Sequence, residues 1–450
     1  MAGSNPGSPA PPSALTPGKR RRVAAAATAA AVVEWYDFFA FAIASALVFG
    51  PVFFPSTDPV TGVLASFATF FVGFAARPLG GILAGQWGDR IGRKPVLVAA
   101  LLLMGVATLF VGVLPTYATV GVLAPIALVV LRVLQGIAVG AMWGGALLLA
   151  TEYAPEGKRG LYGSLVSSAV GIATVLANGT FLLVSWLAPG AAFAAWGWRI
   201  PFAVGVLVLL LAWYIHRTVE ETPEYRQAGA GTAESRRPLR TVLRKHGGTV
   251  ALAAASFLLL QSFFYIQVTG LLDYTTRVLH MSRQSVLTVV LIGMTFVAIL
   301  TPAFASLSDR IGRLKVYVIG AVAVGVWAFP YFLLVDTANM LLVGTAVVVG
   351  AIFASILGAP QPALFAELFE PAIRYTGSSV AYQASSLIGG GLTPFVMVLL
   401  IGSTGTALSI SVMLGLLAVL TVVSVALLRH RVAAGTTTPA VEVAAEPVEP

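Results

Sequence analysis

The loop "GQWGDRIGRKPV" (85–96) separates two long apolar runs, and a near copy of it, "ASLSDRIGRLKV" (305–316), recurs later in the chain. A second pair of segments, "TEYAPEGKRG" (151–160) and "AELFEPAIRYTG" (366–377), follows in the same order. Both members of this second pair place a glutamate seven residues before an arginine. Because two separate motifs recur in order at nearly the same offset, the sequence indicates two related halves.

Hydrophobic residues make up 58% of the 450 residues, and charged residues only 10%. This composition is typical of a chain that crosses a lipid bilayer many times. There is no cysteine, which excludes disulfides and thiolate chemistry, and the four histidines fall in tails and loops rather than in a metal-ligand cluster. No G-x-x-x-x-G-K-[ST] segment occurs, so we expect neither a nucleotide-driven pump nor an enzyme, and no metal or other cofactor.

Apolar stretches of about 20 residues, the length that crosses roughly 30 Å of hydrocarbon, recur twelve times. We therefore predict an all-α integral membrane protein with twelve transmembrane helices in two pseudo-symmetric six-helix bundles. The predicted spans lie near 24–50, 61–86, 95–113, 120–150, 160–187, 198–216, 249–272, 284–307, 315–335, 340–365, 375–401 and 406–428.

Most basic residues outside these spans fall on one face, which the positive-inside rule makes cytoplasmic, and both termini lie there. The net charge of +9 is thereby explained by orientation in the bilayer, and we expect no nucleic-acid partner. The composition of both ends predicts disorder. The predicted units are a tail at 1–22, a bundle at 23–216, a linker at 217–248, a second bundle at 249–430 and a tail at 431–450.

The first span contains two carboxylates, Glu34 and Asp37, in the stretch "VVEWYDFFAFA" (32–42). One acid at the centre of a transmembrane helix costs about 2.5 to 3.5 kcal/mol on insertion scales, which favours a functional role. The two acids share a helix face and resist simultaneous ionisation, so one of them can take up and release a proton. We predict proton coupling through these acids, with Asp37 favoured because it lies nearer the midplane. The alternative is a neutral or salt-bridged structural pair.

Two arginines, Arg77 and Arg132, lie near the middle of spans two and four. An arginine at this depth needs a carboxylate, carbonyl groups or water, and its planar fork suits a carboxylate held by two bonds. Its partner is either an acid of the first span or an anionic substrate. The alternative is a permanent salt bridge within the bundle.

Uncharged polar residues accompany these charges within the spans. Such side chains can orient a ligand by hydrogen bonds, although bonds between helices are their commoner use. The predicted substrate-binding residues are the two arginines, Arg77 and Arg132, together with Tyr36, Gln135, Asn178, Gln261, Tyr265, Tyr382 and Gln383.

The repeated loops predict a cytoplasmic gate. Asp89 can accept hydrogen bonds from the N-terminus of an opposing helix, and Arg90 and Arg93 can pair with acids such as Glu152. The alternative is a set of charges that only anchors the topology. The predicted gate comprises Asp89, Arg90, Arg93, Glu152 and Arg159, with a second copy formed by Asp309, Arg310, Arg313, Glu367 and Arg374.

The segment "GQWGDRIGRK" resembles the G-x-x-x-D-R-x-G-R-[RK] loop of the major facilitator superfamily. The segments "EWYDFFAFA", "RVLQGIAVGAMWGGALLLATEYAPEGKRG", "WGWRIPFAVG", "ETPEYR" and "ELFEPAIRYTGSSVAYQ" are similar to its metabolite:proton symporter branch, which includes α-ketoglutarate, shikimate, citrate and proline/betaine permeases. The resemblance implies alternating access by two rocking halves, with the loop cluster holding the cytoplasmic side shut in the outward-open state.

One position departs from the branch, which usually has a glutamate in a G-G-E-x-G-G pattern where this chain has Met142 in "GAMWGG". We expect a monomeric carrier in a bacterial cytoplasmic membrane that imports a small carboxylate-bearing metabolite, with the proton as coupling ion. The alternatives are an exporter of drugs or metabolites by proton antiport and a membrane sensor that does not transport.

Overall fold

The computed structural model describes residues 16–55, 59–221, 238–370 and 373–433, and these residues form helices and the turns between them. Twelve long helices follow one another along the described chain. They are α1 Pro17–Ala44, α2 Pro59–Ile91, α3 Arg93–Val113, α4 Leu123–Glu152, α5 Arg159–Leu187, α6 Val204–Thr218, α7 Gly247–Tyr265, α8 Arg283–Ile311, α9 Arg313–Val335, α10 Met340–Gly358, α11 Arg374–Ser385 and α12 Leu408–Ala433.

Several of these helices continue through a local change of helical geometry. A π-helical turn extends α1 (Ser45–Phe49), α7 (Ile266–Gly270) and α11 (Ser386–Leu392), and a further α-helical segment follows each turn. A 3₁₀ segment, Gly197–Ala203, leads into α6, and Gln361–Glu367 continues α10 after a break. Proline explains that break, since Pro360 lacks an N–H to donate.

Eleven helices of the described chain are long and apolar enough to cross a membrane. With α2, which is 33 residues long, they make the twelve predicted membrane helices. The helix boundaries differ from the predicted ones near the N-terminus, where α1 begins at Pro17, inside the predicted tail. Pro17 occupies the first turn and the Thr16 hydroxyl accepts a bond from the Lys19 amide, which together favour a helix start here.

The predicted linker is partly helical. Helix α6 ends at Thr218, and a short helix, Pro238–Lys245, precedes α7. Residues 222–237 of the linker lie outside the described residues, as do most of both predicted tails.

The twelve helices form two six-helix bundles, each with its own apolar core. The bundles meet mainly where α2 packs on α11 and where α5 packs on α8. The repeat relates α2 to α8 and α5 to α11, so these two contacts are copies of each other. The interface is therefore pseudo-symmetric, as the duplicated loops predict.

Glycines allow α2 and α4 to approach closely. A Cβ added to Gly80 would overlap the Ile137 carbonyl oxygen, and one added to Gly140 would overlap the carbonyl oxygen of Arg77. Both obstacles are backbone atoms, which cannot move aside without shifting a helix. This close packing positions Arg77 against α4.

The contact between α2 and α4 predicts a difference between two glycine substitutions. Gly140→Ala forces the helices apart and should lower the free energy of unfolding by about 1 to 3 kcal/mol, as overpacked cores do. Gly179→Ala is the matched control, because Gly179 lies on α5 with open space around its Cβ position. Thermal unfolding followed by tryptophan fluorescence in detergent measures both, and equal midpoints would contradict the packing described here.

Candidate functional site

A central cavity of about 100 Å³ lies between the two bundles. Aromatic and amide side chains dominate its wall, including Trp35, Trp143, Phe257, Gln261 and Tyr382. The wall draws on α1, α4, α5, α7, α8, α10 and α11. A cavity between two bundles, lined by aromatic groups and a few polar groups, is a typical position for a small-molecule site.

Arg77 lies beside this cavity in a cage of aromatic rings. Its guanidinium carbon is 4.5 Å from the ring centre of Phe74, 4.7 Å from that of Phe38 and 5.9 Å from that of Trp35. The side chain is buried, and in the described part of the chain no carboxylate lies within ion-pair distance of it. Cation–π contacts offset part of its desolvation, and the Tyr265 hydroxyl is a polar neighbour of the guanidinium. The planar fork has several N–H donors, so it can also hold a carboxylate.

Polar atoms without partners surround the Arg77 cage. Among the buried atoms of the described residues that make no hydrogen bond are Glu34 Oε2, Tyr265 OH, Gln261 Nε2 and Gln383 Oε1. Their side chains come from α1, α7 and α11, and one of them, Gln261, lines the central cavity with Tyr382. Each unpaired buried polar group costs about 1 to 3 kcal/mol, so the site suits a polar ligand or ordered water.

Asp37 has a different environment from Glu34. Its carboxylate accepts hydrogen bonds from Thr108 Oγ1 at 2.6 Å and Gln135 Nε2 at 2.7 Å, and Arg132 Nη1 lies 3.3 Å from its second oxygen. Gln135 also contacts Thr108 and Arg132, and Arg132 stacks on Phe41 at 4.0 Å. Asp37 and Arg132 thus form a buried ion pair inside the first bundle.

Two predicted substrate residues point elsewhere. The Tyr36 hydroxyl donates to the Pro201 carbonyl oxygen at 3.2 Å, toward the start of α6. The Asn178 amide donates to the Thr174 carbonyl oxygen one turn back on α5 at 2.8 Å. Neither residue lines the central cavity, and both bonds are structural contacts within the first bundle.

Sequence reasoning missed two residues of this region. Thr108 on α3 completes the Asp37 network, and a hydroxyl in the apolar run "GVATLF" is the signal that could have found it. Trp143 on α4 stacks flat on Tyr382 of α11, with ring centres 3.7 Å apart and planes 11° from parallel. This stack joins the two bundles on the side of the cavity toward the chain termini.

The face that carries the described chain ends is closed by two equivalent contacts, which we name the aspartate locks. Asp89 at the end of α2 accepts bonds from the backbone amides of Tyr375 at 3.1 Å and Thr376 at 2.9 Å, in the first turn of α11. Asp309 at the end of α8 accepts bonds from the amides of Gly160 and Leu161, both at 2.9 Å, in the first turn of α5. Each lock ties a helix end of one bundle to a helix start of the other.

Ion pairs surround the aspartate locks. Glu152 binds Arg93 of its own bundle at 2.9 Å and Arg374 of the other bundle at 3.2 Å. Arg313 binds Asp309 at 3.0 Å and also contacts Glu367. Arg90 and Arg310 are exposed, and Arg159 is half-buried as the first residue of α5. Seven of the ten predicted gate residues, all except Arg90, Arg159 and Arg310, therefore take part in these contacts, and Glu152 connects the bundles.

The start of the linker adds a contact to this layer. Glu221 accepts hydrogen bonds from the backbone amides of Arg93 at 3.1 Å and Lys94 at 3.2 Å, the first residues of α3. The Tyr153 hydroxyl donates to the Glu220 carbonyl oxygen at 2.9 Å. The chain leaving α6 is thereby tied to the helix that carries Arg93.

Met142 is fully buried in the core of the first bundle, among apolar residues of α1, α3, α4 and α5. Because methionine has no carboxylate, this position contributes no acid to the first bundle. In the described residues, the buried acids at membrane depth are Glu34 and Asp37, both on α1.

Comparison with known proteins agrees with this architecture. A family profile described as Major Facilitator Superfamily matches residues 38–394 and 252–450. The chain is 38% identical to a shikimate transporter of Escherichia coli over 390 residues, 86% of this chain and 89% of the relative. It is 33% identical to a glycine betaine/proline/ectoine/pipecolic acid transporter of Dickeya dadantii, covering 86% of this chain and 79% of the relative.

Solved structures show the same fold. A structure of the proton:xylose symporter XylE superposes with a TM-score of 0.71 at 16% identity, covering 92% of this chain and 96% of that chain. An inner membrane metabolite transport protein of Escherichia coli is 36% identical over 84% of this chain and 87% of the relative. The named relatives are transporters rather than enzymes, and this chain belongs to the major facilitator superfamily.

Proposed function

We propose that this transporter imports a small carboxylate-bearing metabolite together with protons across a bacterial cytoplasmic membrane, by alternating access of its two bundles. The observation that carries the proposal is Arg77, a buried cation behind the cavity-lining Trp35, with no carboxylate within ion-pair distance in the described chain. In the proposed complex, a substrate carboxylate forms an ion pair with Arg77. The relatives named for shikimate and for betaine and proline all act on carboxylate-bearing solutes, which supports this class.

The substrate's remaining polar groups find partners among the unpaired atoms near Arg77. Gln261 Nε2 offers a donor, Gln383 Oε1 an acceptor and the Tyr265 hydroxyl either. Tyr382 and the aromatic wall supply apolar contact. The binding site thus combines a charge from the first bundle with neutral hydrogen-bonding groups from the second, so a bound substrate draws the bundles together.

Proton coupling rests on the two acids of α1. In the proposed mechanism, Asp37 holds Arg132 in place while ionised, and protonation of Asp37 weakens that ion pair and lets α1 move relative to α4. Glu34 lies close enough to Arg77 to interact with it electrostatically. When a substrate carboxylate takes Arg77, a proton on Glu34 removes the repulsion between the two carboxylates.

The aspartate locks define which face is closed. By the positive-inside rule this face is cytoplasmic, so release of substrate into the cell requires both locks and the Glu152 pairs to separate. The Trp143–Tyr382 stack lies on the same route. Substrate bound from the other side therefore remains enclosed until the bundles rock apart on the cytoplasmic side.

Substitution of Arg77 tests the substrate site. Arg77→Gln removes the cation and keeps a donor, and it should weaken carboxylate binding by about 10- to 100-fold, the effect of losing a charged hydrogen bond of about 1.5 to 3 kcal/mol. Labelled shikimate and a panel of organic acids are assayed for uptake into proteoliposomes. Each acid is compared with its amide, because the variant should lose the preference for the acid; a retained preference would contradict the proposal.

Substitution of Asp37 tests coupling. Asp37→Asn should retain exchange of labelled for unlabelled substrate across the vesicle membrane, since exchange needs no net proton movement. It should lose accumulation driven by a pH gradient, by about tenfold or more. Glu34→Gln is measured alongside to separate the two acids, and wild-type accumulation by Asp37→Asn would exclude Asp37 as the coupling acid.

Substitution of Glu152 tests the gate. Glu152→Gln breaks its pairs with Arg93 and Arg374, which should favour opening and raise access to the cavity about tenfold, the factor that 1.4 kcal/mol represents. The chain has no cysteine, so Ser167→Cys, at the cavity wall, gives one thiol whose reaction with a maleimide reports access. Glu156→Gln is the control, since Glu156 is exposed on the loop that follows α4; equal reactivity of both variants would refute the gate role.

A further inference from the structure

A groove of about 660 Å³ runs along the outside of the first bundle, between the first halves of α1 and α5. Small and apolar side chains form its floor, among them Ala25, Ala29 and Val33 on α1 and Leu165 on α5. The hydroxyl of Thr28 is already bound to the Ala24 carbonyl oxygen at 2.8 Å. The floor therefore offers apolar contact without available polar groups.

The groove faces the hydrocarbon of the bilayer. On α5, Leu165 shares a face with Ile172 and Leu176, which are 38% and 48% exposed at the outer surface of the bundle. Ser167 and Val170, which line the central cavity, lie on the far side of α5 from Leu165. The groove thus opens away from the substrate cavity and toward lipid.

The charge of the groove is confined to its mouth. Arg21 lines the groove at the end nearest the N-terminus, is exposed and makes no ion pair in the described chain. Lys158, also exposed, stands three residues before Leu161, another lining residue. The Tyr162 phenol lines the same region. A cation with an amphipathic tyrosine beside it is typical of the headgroup level of a membrane protein.

The length of the groove matches one lipid leaflet. From Arg21 to Val33 the helix rises about 18 Å at 1.5 Å per residue, which compares with about 15 Å for half of the hydrocarbon thickness. An anion at Arg21 can therefore be joined to an acyl chain that reaches the apolar end of the groove.

We infer that this groove binds one anionic glycerophospholipid, with its phosphate at Arg21 and an acyl chain along the small residues of α1. Charge complementarity selects this occupant, because the mouth is cationic while the floor is apolar along its length. A zwitterionic lipid fills the same floor but brings a second cation toward Arg21, so it binds less tightly. The apolar end reaches Val33, directly before Glu34, and the lipid thus contacts the helix that carries both buried acids.

Native mass spectrometry of the full chain in detergent tests this site, with phosphatidylglycerol and phosphatidylcholine of identical acyl chains as probes. We expect one phosphatidylglycerol to bind about tenfold more tightly than phosphatidylcholine. Arg21→Gln should reduce this preference to less than twofold. Arg22→Gln is the matched control, because it removes the same charge from the next residue, which does not line the groove, and it should keep the preference.

Ala29→Trp fills the floor without changing charge and should weaken both lipids. Three results would overturn the inference: equal affinity of the wild type for both lipids, equal effects of Arg21→Gln and Arg22→Gln, or failure to bind either lipid because another part of the chain occupies the groove. Binding is measured without transport, so the outcome is independent of the proposed function.

Discussion

The interaction on which the arrangement of this protein depends is a carboxylate at the end of one helix that accepts two backbone N–H bonds at the start of another. Asp89 does this for α11 and Asp309 does it for α5, each across the interface between the bundles. The first amides of a helix have no intrahelical partner and carry partial positive charge. An aspartate accepts their hydrogen bonds and also neutralises this charge. Because the contact involves backbone groups, it fixes the position of a whole helix.

The two bundles differ in how they treat charge at membrane depth. In the described chain, the first bundle holds Glu34, Asp37, Arg77 and Arg132, while the facing part of the second offers amides and phenols. Asp37 and Arg132 satisfy each other within a network completed by Thr108 and Gln135. Arg77 has aromatic faces instead of an acid. With Met142 in the apolar core, the two acids of α1 are the groups through which the proposed proton coupling passes.

Much of the architecture was predictable from the sequence, and the reasons are specific. The twelve spans follow from apolar length, and the roles of Asp89, Asp309 and Glu152 as contacts between helices follow from loops that occur twice.

The pairing of the buried charges could not be predicted. The position of a residue along its helix does not determine how the helix is rotated about its axis. The sequence therefore does not predict that Arg132 faces Asp37 while Arg77 faces Phe38 and Phe74. The same freedom explains Tyr36 and Asn178, whose polar groups turn to other partners. The stack of Trp143 on Tyr382 joins residues far apart in sequence, and no local pattern predicts it.

In the proposed mechanism, the aspartate locks separate once a proton and a substrate are both bound. Spin labels can be attached at Ile91→Cys and Ile311→Cys, two exposed sites just beyond Asp89 and Asp309, because the chain has no cysteine of its own. The distance between the two labels measures the separation of the locks directly. In vesicles that transport, the account predicts a shift to longer distances when substrate is added at low pH, and little change with low pH alone or substrate alone. An unchanged distance under all of these conditions would contradict it.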